Sequence, residues 1–254
     1  IFTGQYKMLI AVPIAFASAI SSAMIPAITT SLVKGEKRDT NRRVNLAFQF
    51  TLMLAIPATL GLMSLAEPIL KMLFPSAYTD TSSKLFLYGG INIVLYCIST
   101  ISNSVLQAIG KLKLPVRHSA ISLVIHIVAL VPMLYFGRLH VYAVLASTTV
   151  FTASMCILNG LSLKKYLNYT MNVKKVLVIP TLCSCIMAVV AFGFYKGCYA
   201  LLKSNSISTI LAICIAGVVY FATMIILKGI TEDELRKFPK GTLLIRIARK
   251  MHLL

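Results

Sequence analysis

Seven stretches of this chain are apolar for long enough to cross a membrane as helices, at roughly 8–32, 44–65, 85–109, 119–136, 141–161, 176–195 and 207–227. Each is near the twenty or so residues that span a hydrocarbon core about 30 Å thick. Short polar gaps rich in lysine and arginine separate them. The alternation predicts an all-α fold, a polytopic membrane helix bundle of about seven transmembrane helices over residues 1–228, with a basic tail at 229–254. Pro13, Pro26, Pro57, Pro132 and Pro180 fall inside the runs, where each removes a backbone donor and tends to bend its helix.

Polar residues within the runs keep helical spacing. The third run carries Asn92, Tyr96, Ser99, Asn103 and Gln107, each three or four residues after the last, which makes one stripe down the helix. The fourth has His118, Ser122 and His126 at successive turns, and the fifth has Thr148, Thr152 and Asn159. The first has Ser18, Ser21, Ser22 and Thr29, and the second opens with Asn45 and Gln49. Beyond Thr181, Ser184 and Thr223 the last two runs offer little but apolar side chains. A polar side chain within a bilayer faces a wet cavity or the bundle interior, or bonds a neighbouring helix. The candidates for a hydrated substrate pathway are therefore Asn92, Tyr96, Asn103, Gln107, His118, Ser122, His126, Thr148 and Thr152. His126 is the one readily titratable group deep within a run. A charge there costs at least ~2.5–3.5 kcal/mol, so the imidazole is expected to be neutral at rest. Glu67 reads as an interfacial residue at the end of the second run.

Composition agrees with a membrane setting. Of the 254 residues, 58% are hydrophobic and 13% charged, where a soluble domain carries about 25% charged residues. The net charge of +18 would suit nucleic acid, but the basic residues lie in the gaps between apolar runs and not on a polar domain. No nucleic-acid partner is expected. Nineteen of the 25 basic residues fall in alternate gaps around Lys34–Arg43, Lys111–Arg117 and Lys164–Lys175 and in the tail from Lys228. The other gaps hold Lys7, Lys71, Lys84, Arg138, Lys196 and Lys203. By the positive-inside rule the C-terminus is cytoplasmic and the N-terminus outside. The six cysteines form no C-x-x-C pair and the histidines complete no zinc spacing, so no metal or cofactor is expected.

In the tail, Thr231 and Glu234 form a capping box. After Pro239-Lys240-Gly241, Leu243, Leu244, Ile247 and Met251 share one helical face, and Arg246, Arg249 and Lys250 share another. That is the pattern of an amphipathic helix on the inner leaflet, with Arg246, Arg249 and Lys250 contacting anionic membrane lipid.

Gln107-Ala108-Ile109-Gly110-Lys111-Leu112-Lys113-Leu114-Pro115, Leu65-Ala66-Glu67-Pro68-Ile69-Leu70-Lys71-Met72-Leu73-Phe74 and Met24-Ile25-Pro26-Ala27-Ile28 resemble, in this order, the polysaccharide-biosynthesis branch of the multidrug/oligosaccharidyl-lipid/polysaccharide (MOP) exporter superfamily. The segment from Gly229 to Leu235 with Pro239-Lys240-Gly241 is similar, more narrowly, to the stage V sporulation protein B group, to which MurJ-type lipid II flippases are related. The resemblance implies the C-terminal lobe of a two-lobed transporter, without that lobe's first helix. Its partner would be the missing N-terminal lobe of the same polypeptide. The implied activity is alternating-access translocation of a polyprenyl-diphosphate-linked oligosaccharide across a bacterial cytoplasmic membrane, serving peptidoglycan or polysaccharide synthesis. Many relatives place a Lys with an Asn one turn later at the middle of the fourth run, where this chain has His126 and Leu130.

Other readings compete. A MOP-type drug or cation exporter would need acids inside the membrane, and no carboxylate lies at mid-membrane depth. An enzyme would need a reactive cluster, and Glu36, Asp39, Glu67, Asp80, Glu232, Asp233 and Glu234 form none along the sequence, so the chain is not expected to be an enzyme. A noncatalytic assembly partner fits the same composition.

The charge split predicts topology directly. In a variant lacking the native cysteines, cysteines at Ser76 and Ser204 should react with an impermeant thiol reagent added outside, and cysteines at Thr40 and Asn172 should not. Outside labelling at Thr40 would overturn the assignment.

Overall fold

The computed structural model describes residues 2–135 and 141–229. Among them are eight α-helices: α1 (Lys7–Val33), α2 (Lys37–Ser64), α3 (Ala66–Leu73), α4 (Asp80–Ala108), α5 (Lys113–Tyr135), α6 (Val141–Leu167), α7 (Ile179–Leu202) and α8 (Asn205–Ile226). All but α3 are long and apolar enough to cross a membrane, which makes seven spans. No strand occurs among the described residues, and the all-α, multi-pass architecture expected from the runs is the one observed. The capping box at Thr231 and the amphipathic face with Arg246, Arg249 and Lys250 lie outside the described residues.

The observed helices are mostly longer than the apolar runs. α2 starts at Lys37 and not at 44, because its first turns are stabilised by Asp39, which pairs with Arg43 at 2.6 Å and Arg42 at 3.5 Å. The stretch after Ser64 is not the end of the second span. Leu65 leaves the helical region (φ −109°, ψ 21°) and the chain restarts as the short helix α3. At 1.5 Å per residue, the 28 residues of α2 already exceed a hydrocarbon core of about 30 Å. α3 buries Ala66, Pro68, Ile69 and Leu70 and exposes Glu67 and Lys71, an amphipathic piece suited to the interface.

The quoted 107–115 stretch is a turn with a mechanism. Gly110 takes the left-handed conformation (φ 75°), and its N–H donates to the Gln107 carbonyl at 2.9 Å while Lys111 N–H reaches the Leu106 carbonyl. Those bonds close the end of α4, as a left-handed glycine past a helix commonly does.

α2 and α4 are the centre of the bundle. α1 packs on both, α6 packs on α4, and α5 packs chiefly on α6 at one edge. At the other edge α7 and α8 form a pair, and α7 joins this pair to α2. Two apolar cores follow from this arrangement. The larger joins α1, α2, α4 and α6 through residues such as Phe48, Leu52, Leu85, Ile93, Ile101 and Leu163. The smaller gathers Met53, Leu65 and Ile69 with Cys183, Met187, Ala216, Tyr220 and Met224. Tyr6, just before α1, meets α4 and α6 closely at Gly89, whose carbonyl accepts a hydrogen bond from Tyr6 Oη at 2.7 Å. A Cβ at residue 89 would lie 2.5 Å from that hydroxyl and 2.6 Å from Leu145 Cδ1.

Pro57 lies inside α2 and cannot donate to the carbonyl four residues back, that of Met53. The Tyr220 hydroxyl of α8 donates to this same carbonyl at 2.7 Å. The proline therefore creates an acceptor, and the last helix supplies its donor. Such repair by a neighbouring helix is how prolines are tolerated in membrane spans. Near Pro180 a π-helical turn at Lys174–Val178 widens the bonding pattern just before the residue that has no N–H.

Thr40 is fully buried, with its hydroxyl donating to Ser31 Oγ at 3.1 Å. A cysteine there would be shielded by packing whatever its side, so exposed Lys37 is the better inner labelling position.

The Met53 carbonyl gives a double-mutant test. Tyr220→Phe should destabilise the bundle by about 0.5–2 kcal/mol, because a buried acceptor loses its donor. Pro57→Ala restores a backbone N–H, and in that background the cost of Tyr220→Phe should shrink. Equal costs in the two backgrounds, measured by thermal unfolding in detergent, would separate the hydroxyl from the proline.

Candidate functional site: a polar seam between α4, α5 and α6

Two groups of buried polar side chains lie where α6 packs between α4 and α5. In the first, Asn159 of α6 is the hub. Its Nδ2 donates to Asn103 Oδ1 of α4 at 2.8 Å, and its Oδ1 lies 2.7 Å from His118 Nδ1 of α5. Since the carboxamide oxygen can only accept, Nδ1 must carry the proton. His118 Nε2 is then the accepting nitrogen if the ring is neutral, and the Ser162 hydroxyl approaches it at 3.4 Å. In the second group, Thr152 Oγ1 of α6 lies 3.4 Å from Asn92 Oδ1 of α4, and both residues are fully buried.

The structure thus joins four of the nine expected pathway residues into cross-helix contacts: Asn92 with Thr152, and Asn103 with His118 through Asn159. The others are placed differently. Ser122 is fully buried and His126 half-buried on α5, and Ser122 Oγ and His126 Nδ1 have no hydrogen-bond partner among the described residues. The His126 ring stands edge-on to Phe151 of α6, with centroids 6.1 Å apart. The Thr148 hydroxyl bonds its own helix at the Val144 carbonyl. Tyr96 is half-buried, and Gln107 is exposed at the end of α4. Asn159 had been visible only as the last member of the α6 stripe, and Ser162 not at all. Ser162 lies three residues beyond Asn159, so extending the same helical spacing by one turn would have found it.

The far edge is chemically different. Among the described residues of α7 and α8, Thr181 and Thr223 bond their own backbones, and much of the pair's surface is exposed and apolar, including Leu182, Val189, Ile210 and Val218. The described residues contain no group of three or more His, Cys, Asp or Glu able to hold a metal ion.

The family model for "Lipid II flippase MurJ" matches residues 7–237. The chain belongs to the MurJ lipid II flippase family. It is 25% identical over 229 residues to the lipid II flippase MurJ of Bacillus subtilis, covering 87% of this chain and 42% of that protein. It is 26% identical over 188 residues to the probable low-salt glycan biosynthesis flippase Agl15 of Haloferax volcanii, covering 72% and 38%. A probable lipid II flippase MurJ of Bdellovibrio bacteriovorus is 30% identical over 122 residues, covering 46% and 23%. The chain therefore spans less than half the length of these curated relatives. The relation to MOP-type flippases read from the quoted stretches is borne out. None of these matches bears on the narrower likeness to the sporulation group.

The seam makes a stability prediction for this member of the MurJ family. Asn159→Leu leaves Asn103 Oδ1 and His118 Nδ1 without their shared partner, at a cost of about 1–3 kcal/mol. Gln107→Leu, on an exposed residue, should change stability by no more than about 0.5 kcal/mol. Thermal midpoints of the two variants in one detergent check the ranking. Equal midpoints would mean that Asn159 does not hold α5 and α4 to α6.

Proposed function

We propose that this chain is the C-terminal lobe of a flippase that moves a polyprenyl-diphosphate-linked oligosaccharide, lipid II or a polysaccharide repeat unit, by alternating access. The reading is of a transporter and not an enzyme. The observation that carries it is the division of the bundle: polar side chains of α4, α5 and α6 meet across helices, while the membrane-exposed surface of α7 and α8 is largely apolar. A sugar-diphosphate head needs a hydrated surface, and a polyprenyl tail needs a hydrocarbon one. The family match and the activities for which the relatives are named support the same class of substrate.

In this reading a second, N-terminal lobe faces the seam side and completes the cavity. Gln107, Tyr96 and His126 are the side chains left to meet the substrate route, since Asn103 and His118 are engaged by Asn159. Ser122, Asn92, Thr148 and Thr152 shape the wall behind them. The basic loops and the tail face the cytoplasm, with Arg246, Arg249 and Lys250 against anionic lipid.

Complementation tests the reading. The chain joined to its N-terminal lobe should sustain growth of a bacterium depleted of its own lipid II flippase. Gln107→Leu with His126→Leu should abolish that support while protein level and thermal midpoint stay unchanged. Failure of the joined wild-type protein to move lipid II in proteoliposomes would remove lipid II as substrate. Full growth with the double variant would remove these two residues from the route.

A further inference from the structure

At the end of the bundle opposite the main basic loops, α2, α3, α4, α7 and α8 enclose a cavity of about 550 Å³. Lys71, Lys84 and Lys196 all line it, with Glu67 as its carboxylate. Among the described residues, the basic side chains at this end are Lys7, Lys71, Lys84, Lys196 and Lys203. Three of these five thus converge on one cavity. Glu67 neutralises one lysine, pairing with Lys71 Nζ at 2.6 Å, and that hydrogen bond raises the Lys71 pKa above its ordinary value. Lys84 and Lys196 have no carboxylate partner among the described residues. Lys196 instead lies over the Phe192 ring, 4.6 Å from its centroid.

The walls are fixed by specific bonds. Asn205 Nδ2 donates to the Pro68 carbonyl at 3.0 Å, and Tyr195 Oη donates to Asn205 Oδ1 at 2.8 Å. These two bonds clamp α3, α7 and α8 together. The Tyr195 and Tyr199 rings then stack, with centroids 5.9 Å apart. Stacked tyrosines near a span's end belong at headgroup depth. Leu87, Phe192 and Tyr199 line the cavity and are exposed, so it opens beside an apolar surface.

We propose that this cavity binds the phosphate of a membrane lipid headgroup, with Lys84 and Lys196 as its cationic contacts and the lipid's chains along the adjoining apolar face. Two unpaired ammoniums beside a hydrocarbon surface match a ligand that is anionic at one end and apolar at the other. An anionic lipid matches better than a zwitterionic one, because the lining carries three lysines and one glutamate. The site shares α4 with the seam but none of its residues, and it does not rest on the flippase reading.

The chain contains no tryptophan, so Phe192→Trp places a single fluorescent reporter on the cavity wall and keeps an aromatic face under Lys196. The full chain in neutral detergent is titrated with dihexanoyl phosphatidylglycerol, dihexanoyl phosphatidylcholine and inorganic phosphate. Phosphatidylglycerol should give a saturable change at roughly tenfold or more lower concentration than phosphatidylcholine. Lys84→Gln with Lys196→Gln should raise its midpoint by a similar factor. Lys84→Arg should preserve binding, and Glu67→Gln should strengthen it. Lys203→Gln, at the same end but outside the lining, should leave it unchanged. Inorganic phosphate saturating as well as phosphatidylglycerol would keep the anion site and assign it to a soluble source. Equal binding of the two lipids, or an unchanged midpoint after both lysines are replaced, would overturn the proposal.

Discussion

A backbone carbonyl or amide left unpaired in hydrocarbon has no water to turn to, and the arrangement of this bundle follows from that constraint. Within a regular helix the constraint is met locally. At Pro57 it is not, and the Met53 carbonyl is bonded from outside by Tyr220 of α8. The α7–α8 pair is thereby tied to α2 by a directional contact, in a part of the structure where apolar surface alone gives little preference between lipid and protein. Helix association in lipid draws on packing and hydrogen bonds more than on exclusion of water. The small second core around Met53, Met187 and Tyr220 is where both kinds of contact coincide.

The same logic explains the seam. Asn103, His118 and Asn159 cannot all remain unpaired between helices, so they pair with one another and hold α5 against the bundle. α5 has few other attachments, being packed chiefly on α6, and it exposes Val124, Val128 and Val131. Side chains that a transporter could use for its substrate are drawn from the same stripe as those that keep it assembled. Their neighbours decide which task each can perform.

Spans were legible in the sequence because the bilayer imposes a length and a polarity that few other environments demand. α3 was not, since eight residues with both faces represented give no span signal, and only the backbone change at Leu65 separates it from α2. The polar stripe on α4 was legible as a stripe. Its meaning was not, because helical spacing shows that Asn92 and Asn103 share a face and says nothing about which helix meets that face. The pairing through Asn159 is a tertiary fact. So is the cavity at Lys84 and Lys196, which lie 112 positions apart in the numbering and belong to different spans.

The bond between Tyr220 and Met53 joins residues 167 positions apart. A ribosome adding 5–20 residues per second needs roughly 10–30 s to cover that distance. During this interval the second span has left the ribosome while its donor has not yet been made. The Met53 carbonyl must be served meanwhile by water, by lipid headgroups or by the insertion machinery, or the span must wait in a less kinked or less deeply seated form. Until the eighth helix is complete the acceptor at Met53 stays open, so the last helix closes the backbone of the second.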